Sequence, residues 1–260
     1  MIRVGIGGWD FAPWRGAFYP ESVKKADQLR YASSQLTSIE INGTFYRTQS
    51  PASFAKWRDE TPDGFVFAVK GHRAVVNAKV LAGTGEALDW FFKSGITELG
   101  DKLGPVLWQF APYKKFDGDD IGAFLALLPK TADGLALRHV VEVRSKTFLV
   151  PEFVALLRKH DVAVVYAESD DYPAIADVTA GFTYARLQQS QDDIGTGYDD
   201  AALDRFASIA KTWAAGGEPD DLPRFGDKPA KKAKRDVFVY MISGAKVRNP
   251  AAAKGLIARL

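Results

Sequence analysis

Five charged residues fall near the ends of short apolar runs, where a side chain can be held in place and still meet a ligand. They are two glutamates, Glu40 and Glu142, and three cations, Lys70, Arg144 and Arg186. Paired carboxylates can transfer protons, as in glycosidases, although two carboxylates alone are a weak signal. A desolvated lysine can act as a base or form a Schiff base, and a guanidinium matches two oxygens of a carboxylate or phosphate. These residues predict acid/base chemistry on a small polar or anionic ligand, sugar- or phosphate-like, with Glu40, Lys70 and Glu142 as catalytic groups.

The same charges also have a purely structural interpretation, in which they neutralise one another. Buried charges need partners, so the glutamates could pair with the arginines, and Lys70 could pair with Glu40 or Glu142. A hydrophobic core would fill the same space at a lower desolvation cost, which favours catalysis or binding as the reason for the charges. Both interpretations stay open at this point.

Further polar and aromatic residues near the same run ends are candidates for ligand binding. Aromatic rings there could stack on a sugar or a base, and Tyr46 would add a hydroxyl group, although such rings more often pack a loop onto the fold. The candidate binding residues are Trp9, Asn42, Tyr46, Gln109, Arg144, Glu168, Arg186 and Gln188.

The absence of cysteine excludes several kinds of site. Without thiols the chain has no disulfide, no iron–sulfur cluster, no thiolate metal site and no cysteine nucleophile. The three histidines, His72, His139 and His160, scatter over the predicted fold, so we expect no metal site and no cofactor. Magnesium held by glutamates alone is an alternative with weak support.

Charge and hydropathy favour a cytoplasmic protein that binds a small molecule. Lys and Arg total 34 against 32 Asp and Glu, which is too balanced to predict a nucleic-acid-binding protein from net charge. The longest apolar runs have six residues, whereas a membrane span needs about 20. Gly7-Gly8 interrupts the first run before the core of a signal peptide could form. The sequence does not predict an oligomeric state.

Eight β-like runs alternate with stretches that carry helix signals, which is typical of a parallel sheet. Eight such units in 260 residues predict a single TIM-barrel domain, a (β/α)₈ fold over residues 1–260. A Rossmann fold is the weaker alternative, because Gly5-Ile6-Gly7-Gly8 lacks the third spaced glycine and no helix follows directly. The runs are Ile2–Ile6, Ser38–Asn42, Phe65–Lys70, Val106–Phe110, His139–Arg144, Val162–Ala167, Phe182–Gln188 and Val237–Ser243.

The spacing between these runs predicts where helices fit. Thr84 could cap a helix over Gly85–Leu99, and Ser50-Pro51 and Asn249-Pro250 are typical helix starts. Only about fifteen residues separate the sixth and seventh runs, which is too few for a full helix with two loops. The barrel is therefore expected to be irregular around its sixth unit.

Side chains alternate between the two faces of a strand, which decides the residues that point into the barrel. Large residues such as Phe67 should meet the helices, so Glu40, Lys70 and the candidate arginines should point inward. With Glu168, three anions would then meet three cations at the carboxyl ends of the strands, where active sites of this fold lie.

Residues 216–236 form a segment with a distinct composition, rich in proline and basic residues. Because the segment precedes the eighth strand, we expect it on the amino-terminal face, opposite the mouth, as a solvated and mobile loop. Any nucleic-acid binding there should be weak and salt-sensitive. The basic run within it comprises Lys228, Lys231, Lys232, Lys234 and Arg235.

Several motifs resemble those of a known family. They are Val4-Gly5-Ile6-Gly7-Gly8-Trp9, Ile39-Glu40-Ile41-Asn42-Gly43-Thr44-Phe45-Tyr46-Arg47, Phe65-Val66-Phe67-Ala68-Val69-Lys70-Gly71, Leu107-Trp108-Gln109-Phe110-Ala111-Pro112 and Val141-Glu142-Val143-Arg144. Together they resemble the YecE-like family, or domain of unknown function 72, over nearly the whole chain. The resemblance implies a TIM barrel and supplies no established reaction.

The chain departs from the family pattern at several positions, three of which usually carry histidines in relatives. The resemblance therefore implies a divergent branch without those imidazoles, in which the carboxylates and cations remain. The departing residues are Val76-Asn77, Ser145, Phe148, Glu168, Gln188-Gln189 and Ile242-Ser243.

Two functions follow as hypotheses. The first is an enzyme of the hydrolase, lyase or isomerase type, favoured by the retained glutamates and cations. The second is a ligand-binding or nucleic-acid-associated scaffold without catalysis, favoured by the lost histidines.

Overall fold

Eight parallel strands close into one barrel in the computed structural model, which describes all residues, 1–260. Each strand pairs with its neighbour in sequence, and β8 returns to pair with β1. The predicted TIM barrel is confirmed, and every predicted run overlaps a strand. The strands are β1 (Ile2–Gly7), β2 (Ser38–Ile41), β3 (Val66–Lys70), β4 (Leu103–Gln109), β5 (His139–Glu142), β6 (Ala163–Glu168), β7 (Phe182–Leu187) and β8 (Asp236–Met241).

The helices occupy the stretches between the strands, with one exception. Residues 169–181, between β6 and β7, contain no helix, so the predicted irregularity of the sixth unit is confirmed. No helix is long and apolar enough to cross a membrane. The helices are α1 (Gln28–Gln35), α2 (Pro51–Asp59), α3 (Arg73–Val76), α4 (Gly85–Phe92), α5 (Gly118–Leu127), α6 (Pro151–His160), α7 (Asp200–Ala214) and α8 (Asn249–Ile257).

The predicted helix Gly85–Leu99 is too long, because α4 ends at Phe92. Gly95 follows with a φ of 101°, a left-handed conformation that breaks the helix and that glycine adopts at little cost. Residues Ile96–Lys102 then continue as 3-10 turns. Thr84 does not cap the helix, since its hydroxyl donates to the carbonyl of Leu81, 2.7 Å away.

Strand alternation divides the buried residues into two layers. One layer fills the barrel and includes Val66, Ala68 and Tyr184, whereas the other packs under the helices and includes Phe67 and Val69. The predicted inward and outward faces of β3 are therefore confirmed. With side chains fixed in this way, the last inward residue of each strand reaches the same end of the barrel.

His139 begins β5 at the amino-terminal end of the barrel, far from the mouth. Its Nδ1 accepts a hydrogen bond from the indole of Trp108 (3.1 Å), so its Nε2 donates to the carbonyl of Pro129 (2.7 Å). Burial lowers the pKa of His139 to about 4, despite the opposing effect of the Pro129 hydrogen bond. The ring is therefore neutral in the folded protein at physiological pH.

This histidine predicts a loss of stability in mild acid. The unfolded chain binds a proton near pH 6.5 and the folded chain only near pH 4, so unfolding is favoured as the pH falls between these values. The free energy of unfolding should fall by about 3 kcal/mol over this window because of His139 alone. Urea titrations of the wild type and His139→Gln at pH 7 and pH 4.5 measure this change in the free energy of unfolding. An equal pH dependence in both proteins would contradict the assignment.

Candidate functional site at the barrel mouth

A buried guanidinium lies between two carboxylates at the centre of the mouth. Arg186 on β7 donates from Nε and Nη2 to the two oxygens of Glu40, at 3.1 and 3.0 Å. Its Nη1 donates to Oε2 of Glu142 at 2.5 Å. Both glutamates are fully buried, and Arg186 is nearly so. Burial alone would lower the pKa of Arg186, but the carboxylates of Glu142 and Glu40 raise it above its ordinary value, so the residue stays charged.

Aromatic residues inside the barrel support this layer from below. The ring of Tyr184 packs on Tyr240 with centroids 5.0 Å apart, and its hydroxyl donates to Oε2 of Glu40 at 2.7 Å. The hydroxyl of Tyr240 shares a hydrogen bond with Ser38 at 2.7 Å. Both oxygens of Glu40 are thus occupied, and its carboxylate is held in one position.

Glu142 keeps one oxygen free of hydrogen bonds. Its Oε2 accepts from Arg186 and from the amide of Gln109 (2.6 Å), whereas its Oε1 is buried without a hydrogen-bond partner. Nε of Arg144 lies 3.6 Å from this Oε1 and is itself unpartnered. Burial would raise the pKa of Glu142, but Arg186 and Arg144 together lower it below its ordinary value. An anionic oxygen and an N–H group are therefore buried side by side as an ion pair, and neither forms a hydrogen bond.

Lys70, at the end of β3, forms no ion pair with either glutamate. Its ammonium group lies 4.5 Å from the centre of the Phe45 ring, and the side chain is partly buried. Burial and the nearby charge of Arg186 lower the pKa of Lys70 to about 8, although Glu40 and Glu142 act in the opposite direction. A substantial fraction of Lys70 is a neutral amine at mildly alkaline pH.

Glu168 does not join this group, so its predicted meeting with the three cations is wrong. In β6 the inward residues are Val165 and Ala167. Glu168 lies on the outward face, with Tyr166. Its Oε2 accepts from the hydroxyl of Tyr198 (3.0 Å) and from the backbone N–H groups of residues 188 and 189, at 2.9 and 3.1 Å. The mouth therefore holds two carboxylates and three cations, which leaves one positive charge in excess.

The remaining predicted binding residues lie at different distances from this centre. Gln109 is part of it through Glu142, and the buried Nε2 of Gln188 has no hydrogen-bond partner. Asn42 donates to the backbone carbonyl of Glu40 at 3.3 Å.

Trp9 and Tyr46 do not roof the centre of the mouth. Trp9 packs edge-on against Trp57 of α2, with centroids 5.0 Å apart, and lines a side cavity of about 310 Å³ with Asn42 and Lys246. Tyr46 is 67% exposed on the rim. Its expected polar contact through the hydroxyl is not observed within the chain.

Three aromatic residues that contact the charged groups were not among the predicted site residues, namely Phe45 beside Lys70, Tyr172 and Tyr184. Tyr172 lies under the guanidinium of Arg144, 4.2 Å from its ring centre, and comes from the helix-free segment after β6, where no periodic pattern marks it. Tyr184 could have been identified, because it lies two residues before Arg186 and shares the inward face of β7 with it.

The basic segment 216–236 lies next to residues that precede β6 and β7, on the amino-terminal face as expected. Arg235 differs from the expected solvated residue, because it is buried and donates to the carbonyls of Trp213 (3.3 Å) and Gly217 (2.8 Å). Glu218 further ties the segment down by accepting from the N–H groups of Val178 and Ala230. Arg235 therefore cannot contact a phosphate, and only the four lysines face solvent.

A closed parallel barrel whose polar groups converge at the carboxyl ends of its strands defines a TIM-barrel protein. No group of three or more His, Asp or Glu side chains is placed to hold a metal ion. The family model described as "Protein of unknown function DUF72" matches residues 3–260, and the chain belongs to that family.

Comparison with known proteins agrees with this assignment. The DUF72 family protein of Thermotoga maritima has the same fold, with a TM-score of 0.76 and 20% identity over 99% of this chain and 98% of that one. The DUF72 family protein of Enterococcus faecalis gives a TM-score of 0.69 and 15% identity, over 100% and 98%. The UPF0759 protein YunF of Bacillus subtilis is 29% identical over 118 residues, which is 44% of this chain and 41% of that protein.

The buried ion pairs of Arg186 with Glu40 and Glu142 predict a large loss of stability when the guanidinium is removed. In Arg186→Met, Glu40 and Glu142 remain buried without a counter-charge, which should lower the free energy of unfolding by about 3–5 kcal/mol. Adding Glu40→Gln and Glu142→Gln to this variant should restore part of the loss, since no buried charge is then left unpaired. Urea unfolding at pH 7 provides the measurement.

The control is an exposed ion pair of similar geometry. Arg205 contacts Asp221 at 2.8 Å, and about half of each side chain is exposed, so Arg205→Met should cost less than about 1 kcal/mol. An Arg186→Met variant as stable as Arg205→Met would show that the buried ion pairs contribute no more to stability than the exposed one.

Lys70 should react as an amine at lower pH than the surface lysines do. Competitive acetylation with mass spectrometry gives the pH at which each lysine becomes nucleophilic. We expect half of the maximal rate at about pH 8 for Lys70, whereas an ordinary lysine side chain in water titrates near pH 10.4. Identical pH profiles would show that the mouth does not perturb Lys70.

Proposed function

We propose that the barrel mouth is the active site of an enzyme that binds a small anionic ligand and moves a proton to or from it through Lys70. The observation that carries this proposal is that Lys70 has no carboxylate partner beside two glutamates that Arg186 already holds. In a purely structural ion network, Lys70 would be expected to pair with a carboxylate, because an unpaired cation is costly to bury. An amine that is partly neutral near pH 8 suits a general base.

The ligand's anionic group would be bound by Arg144. Its guanidinium is partly exposed, lies over the ring of Tyr172, and has an Nε without a hydrogen-bond partner. Arg186 cannot serve in this way, because turning toward a ligand would break its bonds to both buried carboxylates. While Lys70 is protonated, the mouth carries one positive charge in excess, which favours an anion over a neutral ligand.

The two glutamates would then have different tasks. Glu40 has no free oxygen and a tyrosine hydroxyl bound to it, so we assign it the positioning of Arg186. Glu142 keeps Oε1 unbonded on the side of Arg144, where it could accept a proton from the ligand or return one. Lys70 and Glu142 form the proton-transfer pair in this proposal, which replaces a pair of two glutamates.

A ligand-binding protein without catalysis is the second candidate. It is favoured by the same buried ion pairs, because Arg186 occupies three of the four glutamate oxygens and so limits the number of free acid/base groups. The two candidates share Arg144 as the binding residue and differ only in whether a proton is transferred.

A two-stage experiment tests the proposal. A thermal-shift screen of phosphorylated sugars and organic acids first identifies ligands that raise the unfolding temperature. Proton NMR in D₂O then reports whether the protein exchanges a ligand C–H proton with solvent, with a rate that rises as pH passes through about 8. Lys70→Met should abolish exchange and keep the thermal shift, whereas Arg144→Gln should remove the shift.

Lys231→Met is the matched control, since this lysine is exposed on the opposite face. It should leave both the shift and the exchange unchanged. A ligand that stabilises the wild type without exchange or turnover would favour the binding protein. If no anionic ligand stabilises the wild type, the mouth is a structural ion network.

A further inference from the structure

Three large aromatic side chains lie exposed on one side of the mouth. Tyr46, Trp90 and Tyr113 are 67%, 49% and 65% exposed. They follow β2, β3 and β4, which are adjacent strands of the barrel. Exposed aromatic residues of this size gathered on one side of a protein mark an interaction surface more often than single exposed ones do.

All three residues contact the segment of residues 72–77, Tyr46 through its backbone carbonyl and Trp90 and Tyr113 through their side chains. The ring nitrogen Nε2 of His72 lies 3.3 Å from the carbonyl of Tyr46, and its imidazole packs edge-on against Trp90 at 4.8 Å. The hydroxyl of Tyr113 donates to the carbonyl of Asn77 at 3.2 Å. We call the three aromatic residues, with segment 72–77 that joins them, the aromatic rim.

Four exposed cations accompany the aromatic rim, and none of them forms an ion pair within the chain. Arg47 follows Tyr46, Arg73 follows His72, and Lys79 and Lys115 line a groove of about 570 Å³ beside Tyr113. The cations are Arg47, Arg73, Lys79 and Lys115.

The two acidic residues in that groove are already engaged. Asp120 contacts Lys114 at 3.3 Å and accepts from the N–H of Ala82 at 2.8 Å. Asp117 caps α5 by accepting from the N–H groups of residues 119 and 120. The groove therefore carries a net positive charge, whereas Glu86 and Asp89 of α4 are exposed acidic residues beside Trp90.

We propose that the aromatic rim binds single-stranded nucleic acid, with bases stacked on the three rings and phosphates on the four cations. Aromatic rings interleaved with unpaired cations suit a ligand that alternates flat faces with negative charges. A duplex hides its base faces, and a polyphosphate has no flat face to stack. This surface borders the charged groups at the mouth, because Tyr46 packs against Phe45, which contacts Lys70. Binding on it requires no catalysis at the mouth.

Fluorescence anisotropy with a labelled oligothymidylate of about 20 nucleotides tests the proposal. Trp90→Ala or Tyr113→Ala should weaken binding about tenfold each, and Tyr113→Phe, which keeps the ring, should bind like the wild type. Changing the four rim cations to Gln should reduce the slope of log affinity against log salt by about three, which corresponds to the loss of four phosphate contacts. The unfolding temperature of each variant verifies that it is folded.

A charge-matched variant separates the rim from the opposite face. Changing Lys228, Lys231, Lys232 and Lys234 to Gln removes the same four charges and should alter affinity less than about twofold. An equal loss in this variant would place binding on the amino-terminal face and overturn the proposal. It would also be overturned if the wild type did not bind at 50 mM salt, or if duplex or polyphosphate competed as well as the single strand.

Discussion

The buried guanidinium of Arg186, held between Glu40 and Glu142, is the constraint on which the barrel mouth depends. Two carboxylates cannot stay ionised at this depth without a counter-charge, and one guanidinium offers enough donors to satisfy both. The hydroxyl of Tyr184 completes the set from below. The inward positions of β2, β5 and β7 are thus fixed relative to one another by charge as well as by backbone pairing.

That arrangement also decides which groups remain available for chemistry. Because Arg186 is fully engaged, Lys70 and Arg144 are the cations left to meet a ligand, and Oε1 of Glu142 is the one glutamate oxygen at the centre without a hydrogen bond. The structural interpretation of the charges therefore fits Arg186 and its two glutamates, and the functional interpretation stays a proposal for the residues around them. One guanidinium stabilises the fold, and the residues around it carry the proposed chemistry.

The sequence predicts the fold well because the number of strands and the two faces of each strand follow from a local pattern. Eight apolar runs repeat that pattern. The sequence also predicts the inward positions of Glu40, Lys70 and Arg186, because side chains alternate between the two faces of each strand. The prediction for Glu168 rests only on its place at the end of β6, and the alternation of side chains contradicts it by placing Glu168 on the outward face with Tyr166. Tyr172 could not be predicted, because its contact with Arg144 depends on the path of an irregular segment. The pairing of Arg186 with both glutamates is a tertiary arrangement that residue types alone leave open.

The central claim is that Arg186 is locked while Lys70 and Arg144 are free to bind an anion. A crystal of the protein soaked in selenate tests it directly, because selenium gives an anomalous signal at the position of the oxyanion. The account predicts a peak within hydrogen-bond distance of Arg144 or Lys70, with both contacts between Arg186 and the glutamates intact. A peak bound by Arg186 with Glu40 or Glu142 displaced, or an empty mouth in a crystal with Lys70 paired to a glutamate, would contradict it.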